Sequence, residues 1–269
     1  MSRYLFDNTA AQAAGRFTAL ETCYDHVSRR HLELTGLAAG WRCLEVGAGS
    51  ASLGDWLGER VGPGGQVTVT DLEPRWAETH PRPAHVRLLQ HDIVRDPLPS
   101  DGYDLVHARL VLLHLPQRHQ VLRRLVEALR PGGWLVLEEF DCGWTPVLSA
   151  PDAEAARLFE HVHTALTGLL AEAGADPLWG RRVLGAMAGA GLTGLTATTY
   201  AEAWSGGGAG IALHRHNVDQ VADRLAGAGV TDAELTDFRA LLKDPAFVVN
   251  SYPLISARGR RPHEEDSVR

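Results

Sequence analysis

Glu45, Gly47, Gly49, Asp71 and Asp92 are the residues whose types and spacing could do chemistry together. Glu45 lies in the apolar run Leu44-Glu45-Val46, which opens into the turn Gly47-Ala48-Gly49-Ser50-Ala51. Val67-Thr68-Val69-Thr70 follows and ends in Asp71-Leu72. A strand running into a glycine turn lets a ligand approach the backbone where a helix begins. An acid after the next strand can accept hydrogen bonds from both hydroxyls of a ribose. Together these residues point to a nucleoside cofactor.

Three details choose among nucleosides. Glu45 sits two residues before Gly47, where a carboxylate repels a pyrophosphate but suits an ammonium or a sulfonium group. The dinucleotide fingerprint G-x-G-x-x-G requires glycine at position 52, and Ser52 is there instead. Val86-Arg87-Leu88-Leu89 leads into Asp92-Ile93, an acid for the adenine amino group and an apolar side chain for its ring. All three favour S-adenosyl-L-methionine (SAM) over a dinucleotide.

Asp104-Leu105-Val106 and Leu129-Arg130-Pro131-Gly132-Gly133-Trp134-Leu135 follow these motifs in order. With them the chain resembles the class I SAM-dependent methyltransferases over residues 36–142, in the branch of ubiquinone/menaquinone-biosynthesis-like and antibiotic-tailoring enzymes. The resemblance implies an α/β fold: a Rossmann-like, doubly wound sheet of seven strands, the last antiparallel, with helical cap insertions. It implies cofactor contacts at Glu45, Gly47, Ala48, Gly49, Asp71, Leu72, Asp92 and Ile93, and again after the fourth strand at Ala108 and Arg109. The family usually has a third small residue, typically glycine, where this chain has Ala51. The extra methyl is a small steric addition, and it leaves open a form that binds SAM without using it.

Catalytic residues are harder to read. A sulfonium methyl is already activated, so the protein must chiefly position a nucleophile behind it. A base helps only an acceptor that must lose a proton. His114, in Leu112-Leu113-His114-Leu115-Pro116, is the first candidate for a base or orienting group; the alternative is a histidine bonded to local backbone. Glu138 and Glu139 alternate faces at the end of strand five, so one points at the site; Glu139 is the second candidate, with helix capping as its alternative. His214 and His216 either face the pocket or lie on a solvated helix face. Trp144, Trp179 and Trp204 line the pocket or fill the core. His161 and His163 do not share a helix face and no third ligand accompanies them, so no catalytic metal is expected.

The elements that must position these groups are legible from periodicity and punctuation. An amphipathic helical cap occupies 1–35 and the methyltransferase domain 36–262, with core motifs in 41–142. Helical additions fall at 150–175 and 205–245, and a charged tail at 263–269 is expected to be disordered. Ser205-Gly206-Gly207-Gly208 reads as a flexible hinge, and Phe247 to Arg258 as one final antiparallel strand at or near an edge.

Composition narrows the partners. Of 269 residues, 26 are Lys or Arg and 33 Asp or Glu, a net charge of −7 with no dense basic stretch, which argues against nucleic acid. Cys23, Cys43 and Cys142 are scattered, as in a reducing compartment. No apolar run of leader type follows Met1-Ser2-Arg3-Tyr4, and none reaches membrane-spanning length, so a cytoplasmic protein with no membrane partner is expected. A lone lysine, Lys243, amid abundant Ala, Gly, Leu and Arg suggests a GC-rich bacterial genome. The resulting expectation is methyl transfer from SAM to a small organic acceptor in bacterial secondary metabolism. The alternative is a SAM-binding protein of the same fold with a non-methylating reaction or a scaffold role. The acceptor, the atom methylated and the oligomeric state stay open.

Overall fold

Alternation of strands and helices through the first half dictates a parallel sheet with crossover helices. The computed structural model describes residues 5–6, 12–79, 81–98 and 102–263, so most of the expected tail lies outside the described residues. A long helix α1 (Gln12–Glu33) precedes β1 (Arg42–Val46), α2 (Ser52–Val61), β2 (Gln66–Asp71) and β3 (Val86–Gln90). Then come β4 (Tyr103–Arg109), α3 (Arg118–Ala128) and β5 (Leu129–Phe140). The second half holds β6 (Val147–Ser149), α4 (Ala153–Glu172), α5 (Val183–Gly189), β7 (Thr193–Tyr200) and β8 (Ala203–Ser205). It finishes with α6 (Ala212–Gln220), α7 (Ala222–Gly227), α8 (Asp232–Leu241), β9 (Val248–Asn250) and β10 (Leu254–Arg260).

The main sheet has seven strands in the order β3-β2-β1-β4-β5-β10-β7. All neighbours are parallel except β10, which is antiparallel to both β5 and β7. Strand order reverses between β1 and β4, and in such sheets a crevice opens at the carboxyl ends of the strands there. That reversal places the site.

Period-two alternation assigns each strand's side chains to one face. Cys43, Leu105 and Val136 join the core under α2, while Leu44, Val46, Val106, Leu135 and Leu137 join the core on the opposite face, under α3 and α5. Helix α2 approaches the sheet closely because it presents glycines: a Cβ on Gly54 would lie 2.6 Å from Val69 Cγ2, and one on Gly58 2.4 Å from Val86 Cγ2. A third core gathers side chains of α1, α4, α6 and α8. It also includes Val249 of a small sheet, β6-β9-β8, that the sequence did not announce.

Two expectations are corrected here. Phe247 to Arg258 is two strands: Pro253 interrupts the run, β9 joins the small sheet, and β10 enters the main sheet one strand in from its edge. The glycines after Ser205 are packing residues and not a free hinge. Gly206 N–H donates to the Phe247 carbonyl at 2.8 Å, and a Cβ on Gly206 would meet the Asp244 carbonyl oxygen at 1.9 Å.

Candidate functional site

A cavity occupies the crevice at the β1/β4 reversal. The turn after β1 contributes Gly47, Ala48, Gly49 and Ser50, and the end of β2 contributes Thr70, Asp71 and Leu72. His91, Asp92 and Ile93 follow β3; Arg109, Val111 and His114 come from the end of β4 and the segment after it. Helix α1 closes the cavity with Arg16, Phe17, Leu20 and Glu21.

The turn is built by backbone conformations that favour glycine. Gly47 has φ +72°, and a Cβ there would lie 2.3 Å from Val111 Cγ2 across the cavity. Gly47 and Ala48 N–H groups both donate to the Thr70 carbonyl, tying the turn to β2. Ala51, at the N-cap of α2, also sits in the left-handed region at φ 73°, a conformation that glycine adopts without a Cβ penalty.

Asp71 is 8% exposed and held rigidly: Gly49 N–H donates to Oδ2 and Glu73 N–H to Oδ1, each at 2.9 Å. Burial raises its pKa, against the pull of those two amides. Leu72 beside it is 60% exposed, an unusual degree for a large apolar side chain next to a buried acid. Asp92 Oδ1 accepts Val94 N–H at 2.9 Å. Both ring nitrogens of His91 are buried without a hydrogen-bond partner among the described residues.

Three of the expected site residues are not on this wall. Glu45 is 3% exposed and turned into the protein, its Oε2 accepting from His107 Nδ1 at 2.6 Å. Side chains alternate along β1, so Glu45 points to the face opposite Leu44 and Val46, where its partner in register is His107 of β4. Ala108 is fully buried in the core on the other face. Glu139 is also fully buried; its oxygens accept Leu112 N–H at 2.8 Å and Leu113 N–H at 3.3 Å, fixing the turn that carries His114. Glu139 thus caps the N-terminal amides of the short 3-10 helix Leu112–His114, a form of the helix capping named as its alternative. Burial drives its pKa up to about 8 despite those amides.

Other candidates also land elsewhere. Trp179 is buried against α3 and α5, Trp204 lies in the α1/α4 core, and Trp144 is 54% exposed. His214 is neither pocket-facing nor solvated: it is buried among aromatic rings, its centroid 4.6 Å from that of Tyr252 and 5.1 Å from that of Phe159. His216 packs on Gly15 of α1.

Helix α1 supplies charges the sequence did not flag as site residues. Glu21 accepts from the Ser50 hydroxyl, and burial raises its pKa, partly offset by that hydrogen bond. Arg109 donates to Asp25 Oδ1 at 2.9 Å and to Ser28 Oγ at 3.0 Å, both on α1. Opposite charges thus flank the end of the cavity nearest the glycine turn. His114 lines the cavity, and burial, then the charges of Arg16 and Arg118, lower its pKa to about 3.

Residues 44–135 match a family described as a methyltransferase domain. The sheet order and the antiparallel β10 are those of the class I enzymes. Over these residues the chain is similar to a methyltransferase domain. Methyltransferase str2 of Strobilurus tenacellus is 34% identical over 155 residues, 55% of this chain and 53% of that protein. Ubiquinone/menaquinone biosynthesis C-methyltransferase UbiE of Nitrosospira multiformis is 27% identical over 121 residues, 43% of this chain and 50% of that one. The chain spans about half the length of these two curated relatives. Among solved structures, Haemonchus contortus phosphoethanolamine N-methyltransferase 2, in complex with phosphomonomethylethanolamine and S-adenosylhomocysteine, superposes with a TM-score of 0.56. It is 14% identical, and the match covers 98% of this chain and 61% of that one, a likeness of fold. The methyltransferase domain motifs account for the walls contributed by β1, β2, β3 and β4, while the α1 wall lies outside the matched residues. Among the described residues, no helix is long and apolar enough to cross a membrane.

Proposed function

We propose that the chain binds SAM in this cavity and transfers its methyl group to a small organic acceptor. The observation that carries the reading is Asp71. Its carboxylate is pinned by the Gly49 amide and shares one cavity with Leu72, Ile93 and the unpartnered imidazole of His91. Those residues fit the group. Asp71 accepts from the ribose hydroxyls, Leu72 and Ile93 take the two faces of the adenine, and Asp92 and His91 meet its polar edge. Gly47, Ala48 and Gly49 give the close backbone approach.

The amino-acid end of SAM is a zwitterion, and Glu21 and Arg109 offer one charge of each sign beside the glycine turn. Glu21 takes the role expected of Glu45, which is committed to His107. When bound, SAM supplies a methyl group activated by positive sulfur. His114 remains uncharged at neutral pH and orients the acceptor by hydrogen bonding. We place the reaction in bacterial small-molecule metabolism on the chain's composition.

Calorimetric titration with SAM and S-adenosylhomocysteine tests this. Wild type binds both, and Asp71→Ala weakens both by roughly tenfold or more, the loss of a charge-assisted hydrogen bond. No binding by folded wild type would leave the fold as a scaffold and end the enzymatic reading.

A further inference from the structure

The edge of a sheet exposes backbone N–H and C=O groups that no neighbouring strand satisfies. Proteins blunt such edges with charge, proline, a bulge or a cover. The main sheet ends at β3 on one side and at β7 on the other. Strand β3 carries the exposed charge of Arg87. In the small sheet the edge strands β6 and β8 are three residues each. Strand β7 differs from all of these. It runs eight residues, Thr193-Gly194-Leu195-Thr196-Ala197-Thr198-Thr199-Tyr200, with no charge and no proline. Its pairing with β10 is regular from Tyr200 to Thr196 and slips only between Thr196 and Thr193, where Gly194 takes φ +60°. Thr196, Ala197, Thr198 and Thr199 are all exposed. Beyond the pairing with β10, no residue of β7 makes a backbone–backbone hydrogen bond among the described residues. Tyr200 anchors its end of the edge against the cap helix, its ring centroid 5.4 Å from that of His26 and 6.2 Å from that of Tyr24, both on α1.

We propose that β7 is a self-association surface, on which the β7 of a second copy of this chain pairs antiparallel about a twofold axis at Thr198. Thr198 is the centre of the regular segment. Any other axis brings in the slip at Gly194 or runs past the end of the strand at Tyr200. About this axis Thr198 faces its own mate, Ala197 faces Thr199, and Thr196 faces Tyr200. Thr–Thr pairs and aromatic–β-branched pairs are among the favoured cross-strand neighbours. Glu202 is the one charged residue in 193–203, and the same axis sets it opposite Gly194, away from its own copy.

Charge is what selects a second copy as the occupant. The chain has a net charge of −7, so copies repel over most of their surfaces, and β7 brings them together where neither carries charge. An isologous contact uses the same edge on both copies, so pairing closes at two and joins two seven-stranded sheets without growing into a filament. A strand pair this short buries less than a standard protein interface. The dimer therefore dissociates on dilution through the micromolar range.

Sedimentation velocity of the full chain over a dilution series tests this, with hydrogen exchange read in parallel. Wild type is expected to pass from dimer to monomer on dilution, and the outward amides between Thr196 and Tyr200 to exchange more slowly at high concentration than at low. Thr198→Lys sets two like charges opposite each other and weakens association roughly tenfold or more, as does Thr198→Glu. An equimolar mixture of the two variants sets opposite charges across the axis and recovers the dimer. Thr198 is exposed, so both variants are expected to keep the wild-type melting temperature, which confirms the fold. Wild type that stays monomeric throughout overturns the proposal. So does a dimer whose β7 exchange is independent of concentration, a Thr198→Lys variant that associates like wild type, or a mixture that stays monomeric.

Discussion

Glu45 and His107 are partners in register on adjacent central strands, and His107 Nδ1 lies 2.6 Å from Glu45 Oε2. On its other side His107 Nε2 lies 3.2 Å from Glu138 Oε2 of β5. Ser256 of β10 donates to Glu138 Oε1 at 2.5 Å, and Ser28 of α1 donates to Oε2. A polar row thus crosses four central strands on one face and is roofed by the cap helix. A buried imidazole between two carboxylates is stable only as the charged form, because each carboxylate would otherwise be left without a compensating charge. The acid expected to meet the ligand is instead held within this buried row, and Glu138 at the row's other side ties the sheet to α1, whose Glu21 faces the cavity.

Burial opposes the charge on His107, but Glu45 and Glu138 overcome it and raise its pKa to about 9. An unfolded histidine titrates near 6.5. The contribution of His107 to stability is therefore complete below pH 6.5 and is lost as pH rises towards 9. In denaturant unfolding, wild type loses stability against His107→Gln over that window, by up to about 1.4 kcal/mol per pH unit. Glu139 titrates in both proteins and cancels in the comparison. Equal pH slopes for the two would show that His107 is neutral in the fold.

Glu139 caps the turn carrying His114 and does not reach the cavity wall, so its charge is dispensable. Glu139→Gln keeps one acceptor oxygen for Leu112 N–H and turns its amide nitrogen toward the longer Leu113 contact, so it is expected to retain turnover and SAM affinity within about twofold of wild type at a stability cost of about 1 kcal/mol. Glu139→Ala strands the Leu112 and Leu113 amides and costs about 2 kcal/mol or more in urea unfolding. Loss of turnover in a folded, SAM-binding Glu139→Gln would restore it as a proton carrier.

Gly47 sets how closely the β1 turn approaches Val111. Gly47→Ala meets Val111 Cγ2 at 2.3 Å and must also hold a positive φ, so it destabilises by about 1–3 kcal/mol and weakens SAM binding. Adding Val111→Ala removes the clash but not the backbone cost. The double variant recovers part of the loss, a coupling measurable in a double-mutant cycle. Strict additivity would mean the two residues do not meet.

What the sequence made legible follows the physics of local signals. The glycine turn, Asp71 and Asp92 lie at strand ends, where a few adjacent residues specify both the element and its terminus. Glu45 was misplaced because its partner, His107, is 62 positions away, and only strand register brings them together. Arg16 and Glu21 were missed because charges on an amphipathic helix normally mark its solvent face. Here that helix lies over the crevice and its charged residues wall the cavity. The break at Pro253 was hidden by apolar alternation that continues through it, although the residues on either side enter different sheets.

Ala51 decides whether the departure from a glycine at this position costs anything. Three terms act on Ala51→Gly: relief of the left-handed backbone, roughly 1–2 kcal/mol; greater entropy of the unfolded glycine, roughly 0.5–1 kcal/mol against; and loss of a fully buried methyl, about 0.8 kcal/mol against. They cancel to within about 1 kcal/mol, so the melting temperature should move by no more than about 4 °C. SAM affinity should stay the same, since Ala51 itself does not line the cavity. Ala51→Val adds β-branching to a left-handed residue with no exposed surface and is expected to cost about 2–4 kcal/mol. A large gain in SAM affinity for Ala51→Gly would show that the alanine distorts the turn and would revive the form that holds SAM without using it.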